Sequence, residues 1–189
     1  MGEHVKFLVG DLVYLRPPEQ SDVDLFYNGL YRSEETRILT GSQKIFFKSE
    51  IHKYFDTKAG DDSSIFLLIV NKENDEVIGD IGINGIDRIN RNGWIRIAIN
   101  DEADFGKGYG TEAMQLLLDY AFGVVQLHRI ELHVYTFNER AIKSYEKLGF
   151  KREGVLREVL FYNHEYHDAI SMSILEQEYR ALHGIVNGD

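Results

Sequence analysis

Residues 101–114 read DEADFGKGYGTEAM, with glycines at 106, 108 and 110 and a lysine between the first two. Beyond them Ala113, Leu116, Leu117, Tyr120, Ala121 and Val124 recur with helical period, which predicts a helix from Thr111 onward. Bare backbone just ahead of a helix has two physical uses. It makes a tight turn between strand and helix, or it aims backbone N–H groups into a concavity at the helix N-terminus, where the macrodipole favours an anion. Glycine suits the second use because a Cβ would hold phosphate oxygens away and because φ > 0 carries no steric penalty. Two familiar phosphate loops do not fit. A Walker A loop would need glycine where Asp101 stands and Ser or Thr where Gly108 stands. A G-x-G-x-x-G fingerprint would need glycine where Thr111 stands, and the strand that follows ends in VYT, without the ribose-binding acid.

The elements around the loop follow from pattern. Residues 11–17 alternate as a strand that Pro17 and Pro18 end. Ser21 is the expected cap of a helix that Gly29 stops, and Ser49 the expected cap of a second over residues 48–60 with Ile51, Tyr54 and Phe55 on one face. Strands follow at residues 65–70, from Val77, and at residues 94–100 after a turn at residues 90–93. After the glycine segment and its helix come a strand from Arg129, a helix capped by Asn138, and a hairpin turning near Asn163. Neither a repeat nor a low-complexity linker interrupts this order, so residues 8–182 are expected to form a single domain.

Composition bounds the function. Hydrophobic residues make up 43% and aromatics 12%, the balance of a chain that folds alone rather than a disordered one. The net charge of −10 disfavours a life on nucleic acid, and weakly favours a cationic small molecule. Apolar runs such as residues 63–70 are too short to span a bilayer, and the first ten residues lack the pattern of a secretion signal; a cytoplasmic location is expected. The absence of cysteine removes disulfides, thiolate metal sites and a covalent thiol intermediate together. HEYH at residues 164–167 is one residue short of H-E-x-x-H and falls on a turn, so no metal site is expected.

The order of elements, with GKGYGT at residues 106–111 and NERAIKSYEKLGF at residues 138–150, resembles the GNAT superfamily of acyl-CoA N-acetyltransferases. Within it the chain is most similar to the branch of spermidine and ribosomal-protein acetyltransferases. The resemblance implies an α/β (α+β) fold: a mixed, largely antiparallel sheet of about seven strands, helices on both faces, and a central splay that receives acetyl-CoA. It places the superfamily loop R/Q-x-x-G-x-G/A on Phe105, Gly106, Lys107, Gly108, Tyr109 and Gly110, with Thr111 following. Phe105 departs from the basic or amide side chain of that pattern. Ile97, Ala98 and Ile99 would pair with the pantetheine amides, a backbone N–H near Ala98 would polarise the acetyl carbonyl, and Asn138 would meet the cofactor.

The same resemblance sets Tyr145 where the general acid of the family lies. Its spacing with Ala141, Ile142 and Leu148 also fits a core aromatic. A base is harder to find, because relatives often carry a strand glutamate where Trp94 stands. Glu34 and Glu35 lie where the acceptor segment should be, and fit either an amine site or solvated helix charges. The expected reaction is direct attack of a primary amine on acetyl-CoA in a ternary complex. A polyamine such as spermidine is slightly favoured over a protein N-terminus or an amine antibiotic, and self-association is left open. The rival reading is a non-catalytic acyl-CoA binding or sensing module.

Overall fold

The computed structural model describes residues 5–184. Its centre is β3 (Ile65–Asn71), whose residues from Phe66 to Asn71 are all buried because both faces of the strand are covered. Leu67 and Ile69 join one core with Val13 and Leu15 of β2 (Val13–Arg16) and with Ile81 and Ile83 of β4 (Val77–Asp87). Phe66, Leu68 and Val70 join a second core on the opposite face, with Tyr14 and Val77. The alternation is that of a pleated strand. Each Leu or Ile so buried contributes about 1.5–3 kcal/mol relative to exposure, which is why this strand organises the domain.

Helices cover both faces, as expected. α4 (Tyr109–Gly123) presses Ala113, Met114, Leu117, Leu118 and Ala121 into the first core. α1 (Val23–Arg32) and α3 (Lys48–Ala59) bring Val23, Phe26, Ile51 and Phe55 to the second. The remaining elements are β1 (Leu8–Val9), α2 (Glu34–Thr40), β5 (Asn92–Ile99), β6 (Arg129–Tyr135), α5 (Glu139–Lys147), β7 (Lys151–Tyr162), β8 (Glu165–Leu175) and α6 (Glu176–His183). The eight strands form one sheet in the order β1-β2-β3-β4-β5-β6-β8-β7, antiparallel throughout except for β5 beside β6. The eighth strand, beyond the seven or so expected, is the two-residue β1.

Several local expectations change. Gly29 does not stop its helix; α1 runs to Arg32, and Gly29 is buried where a Cβ would lie 2.7 Å from Asn100 Nδ2. The glycine leaves room for the Asn100 side chain, which follows the end of β5. Ser21 falls in a 3₁₀ turn ahead of α1 instead of capping it. α3 begins before Ser49, with the Glu50 carboxylate reaching back to the Phe47 N–H at 2.9 Å. α4 begins two residues ahead of Thr111, with Gly108 as its N-cap in the left-handed region, φ +89°. α2 and α6 are additional helices, the first capped by Ser33 Oγ accepting from the Thr36 N–H at 3.1 Å. The hairpin turns where expected, at Asn163 and His164, both with positive φ as a two-residue turn requires.

One carboxylate link ties the loop region to β2. Glu112, in the first turn of α4, accepts from the Asp11, Leu12 and Val13 N–H groups at 2.9, 2.8 and 2.7 Å. A carboxylate that neutralises three consecutive amides holds the start of β2 over the N-terminus of α4.

Candidate active site

The parallel ladder between β5 and β6 is short. Asn92, Gly93 and Trp94 pair with Arg129, Ile130 and Glu131, and beyond Trp94 the two strands have no pairing while β6 stays bonded to β8 as far as Tyr135. β5 meanwhile keeps its register with β4 as far as Ile99. The result is a wedge-shaped gap in the middle of the sheet with one open strand edge. The Asn100 N–H donates to Ile78 C=O at 2.8 Å, and strand alternation then turns the backbone of Ala98 to β4 and that of Ile97 and Ile99 to the gap. Ala98 therefore cannot offer its N–H to an acyl carbonyl; its neighbours on either side face the gap. The Ile99 carbonyl already accepts from Thr36 Oγ1 at 2.9 Å, which ties α2 to the mouth of the gap.

The glycine loop lies beside it. Gly106 and Gly108 have φ of +74° and +89°, so these two glycines are needed for the conformation. Gly110 is already helical, and a Cβ there would meet Ile97 and Ile99 only at ordinary contact distance. Among the described residues none of the backbone N–H groups from Gly106 to Thr111 has a hydrogen-bond partner, whereas the next, Glu112 N–H, closes the first helical bond to Gly108 C=O at 3.0 Å. Six successive unbonded donors at the positive end of a fifteen-residue helix are an arrangement suited to an anion. Lys107 does not reach into it, because its Nζ is 2.9 Å from Asp104 Oδ1.

Tyr145 projects from α5, which Ser144 joins to α4 through a 2.9 Å contact between its Oγ and Thr111 Oγ1. The ring packs on the same core as Ile97, Ile99 and Tyr109, which sets it on the α4 side of the gap. It is half-buried, and burial pushes the phenol up to about 12, so the proton stays on oxygen throughout the physiological range. Its hydroxyl has no hydrogen-bond partner among the described residues. Asn138 caps α5 by accepting from the Ala141 N–H at 3.2 Å, which leaves its amide NH₂ available.

On the opposite face Glu34 and Glu35 open α2 and line a cavity of about 600 Å³ with Arg32, Asp101 and Glu102. Asp101 and Glu102, just ahead of the glycine loop, join the site only because α2 folds against them, which their charge alone does not announce. Trp94 is 47% exposed on β5 and can take no proton. Asp80, opposite Ala98 in register and 1% exposed, pairs with Arg96 and is not open to an amine. The fold thus sets the Tyr145 phenol and the glycine loop near the gap and the acids of α2 near its mouth at Ile99, with no carboxylate on β5 itself.

Comparison with known proteins gives this geometry a family. Residues 13–151 match the model of the acetyltransferase (GNAT) domain. The chain is 39% identical to spermidine N(1)-acetyltransferase of Escherichia coli over 108 residues, which span 57% of this chain and 58% of that relative. Among solved structures it is similar to spermidine N-acetyltransferase of Vibrio cholerae in complex with CoA and spermine, with a TM-score of 0.82 and 27% identity over 89% of this chain and 98% of that one. A dodecameric structure of the Vibrio cholerae enzyme matches with a TM-score of 0.77 and 28% identity over 89% and 96% of the two chains. Since the domain match takes in most of the sheet, the glycine loop and α5, the chain belongs to the GNAT acetyltransferase family.

Proposed function

We propose that the protein transfers the acetyl group of acetyl-CoA to a primary amine, and that its acceptor is a polyamine such as spermidine. The observation that carries this reading is the run of six unpartnered N–H groups, Gly106 to Thr111, beside a sheet gap whose edge at Ile97 and Ile99 has no strand partner, although the Ile99 carbonyl is held by Thr36. A pyrophosphate satisfies the first and an extended pantetheine amide chain the second, as an added strand would. Acetyl-CoA supplies a thioester, already activated toward amines. The chain supplies register, with donors fixed before the reactants arrive, and a proton.

The amine nitrogen forms the new bond to the acetyl carbon, the carbon–sulfur bond breaks, and the sulfur takes a proton as it leaves. Tyr145 is the donor in this reading: half-buried, protonated, and on the α4 side of the gap. The attacking amine must shed a proton first. With Trp94 on β5, that proton leaves to water or to the acids of the α2 cavity. The cavity also supports the acceptor class. Four carboxylates, Glu34, Glu35, Asp101 and Glu102, face it against one guanidinium, a field that attracts a multiply charged amine. The spermidine acetyltransferases among its relatives support the same class. Self-association is part of this reading, in line with the dodecameric neighbour, and the edge strand β7 offers Val155, Val159 and Phe161 for it. No described helix is long and apolar enough to cross a membrane, and the proposed setting is the cytoplasm.

The test is to follow free thiol while the protein meets acetyl-CoA and a panel holding spermidine, spermine, a peptide N-terminus and an aminoglycoside. Thiol release fastest with the polyamines is the expected result. Saturable CoA binding with no thiol release from any amine would overturn it in favour of a binding module.

A further inference from the structure

Residues 101–107 carry three carboxylates, Asp101, Glu102 and Asp104, against the one lysine at 107. Asp101 is 3.3 Å from Arg32 and Asp104 is 2.9 Å from Lys107, so the only lysine of the glycine loop is already engaged. The cation available to the loop comes from another element. Arg140, in the first turn of α5, sets its guanidinium carbon 3.7 Å from the centroid of the Phe105 ring. Phe105 stands immediately ahead of Gly106 and is half-buried, whereas Arg140 is exposed and has no carboxylate partner among the described residues. The Thr111–Ser144 contact joins the first turn of α4 to α5, and the stack sets Arg140 against the residue that precedes Gly106. A guanidinium stacked on a ring loses rotational freedom while its in-plane N–H donors stay unsatisfied, an arrangement suited to a phosphate.

The geometry points to Arg140, held flat by Phe105, as the side-chain cation that grips a phosphate group of CoA at this loop. Phe105 is then a platform and not a lost contact: the charge that a basic residue at position 105 would bring is delivered from α5. The inference rests on the reading of Gly106–Thr111 as a CoA cradle and adds to it a second element and a named charge. Phosphate is available from the pyrophosphate and from the 3′-phosphate, and one experiment separates them.

Calorimetric titration with CoA and with 3′-dephospho-CoA would compare wild type, Arg140→Ala, Arg140→Lys, Phe105→Ala and the double alanine variant. Arg140→Ala is expected to weaken CoA about tenfold. Arg140→Lys recovers only part, since an ammonium neither stacks nor forks. Phe105→Ala weakens binding less than Arg140→Ala, and the double variant is no weaker than Arg140→Ala alone, because Phe105 acts through the arginine. If the Arg140→Ala loss persists with 3′-dephospho-CoA the contact is to the pyrophosphate; if it vanishes, to the 3′-phosphate. Arg140 is exposed, so the variant should fold, and circular dichroism checks this. Wild-type affinity for both ligands in a folded Arg140→Ala protein overturns the inference while leaving the cradle standing. Failure of wild type to bind CoA at all overturns both.

Discussion

Replacing Tyr145 by Phe removes one oxygen from a half-buried ring and leaves its packing on Phe150 and the core intact. The hydroxyl has no hydrogen-bond partner among the described residues, so folding stability should move by no more than about 0.5–1 kcal/mol. Chemistry should suffer more. Burial pushes the phenol up to about 12, against about 8.5 for an ordinary thiol, so full proton transfer to a free thiolate is uphill by about 5 kcal/mol. That cost fits inside the barrier of about 16 kcal/mol that a turnover of about 10 per second implies. It also argues for a donor that helps late, as the sulfur leaves, and puts the expected loss of kcat near the low end of general-acid effects, about a hundredfold. KM and Kd for CoA should stay near wild type. The sign of the pH effect is fixed: a raised pKa keeps the donor form present up to about 12, so the wild-type to Phe ratio of kcat should be flat from about pH 7 to 10. Steady-state and single-turnover kinetics with acetyl-CoA and spermidine measure both quantities. A folded Phe variant with full kcat, under conditions where single turnovers show chemistry to be limiting, would refute the assignment and leave Tyr145 as a core aromatic.

Gly108→Val forces a branched side chain into φ +89° and sets its Cβ 3.2 Å from Leu12, so CoA affinity should fall at least tenfold, about 1.4 kcal/mol, by calorimetry; unchanged affinity in a folded variant would make the loop a mere turn. Joint replacement of Glu34 and Glu35 by Gln should raise the KM of the polyamine several-fold and spare that of acetyl-CoA, whereas equal kinetics would return both charges to solvent. Glu112→Gln weakens three carboxylate–amide bonds that hold β2 on α4, and should cost about 2 kcal/mol in denaturant unfolding; a change under about 0.5 kcal/mol would show the link to be unimportant.

What could be read from the chain was local. The alternation of β2 and β3, the cap at Asn138, the two-residue turn at Asn163 and the glycine loop all carry their cause within a few residues. What could not be read depends on contacts between distant residues. Gly29 has the look of a helix stop because nothing nearby in the chain announces that Asn100 will lie against it. α2 was legible in principle, since Ser33 caps it and Gly41 ends it in the left-handed region, but its seven residues sit among charges that also suit a loop. The splay between β5 and β6 is a property of register, with pairing lost after Trp94, and no residue type encodes it. For the same reason a strand reading alone could not tell that Ala98 faces β4 while its neighbours face the gap. The stack of Arg140 on Phe105 joins α5 to the loop ahead of α4, with α4 and β6 between them in the chain.

CoA is expected to lie along the open edge of β5 with its pyrophosphate on the N-terminus of α4. The most direct measurement is the backbone amide spectrum of the ¹⁵N-labelled protein, recorded as CoA is added to saturation. The amides of Gly106 to Thr111, with those of Ile97 and Ile99, should show the largest shifts, and those of β1 and α3 should stay in place. Saturable binding that shifts other amides while Gly106, Gly108 and Gly110 remain unmoved would contradict the account.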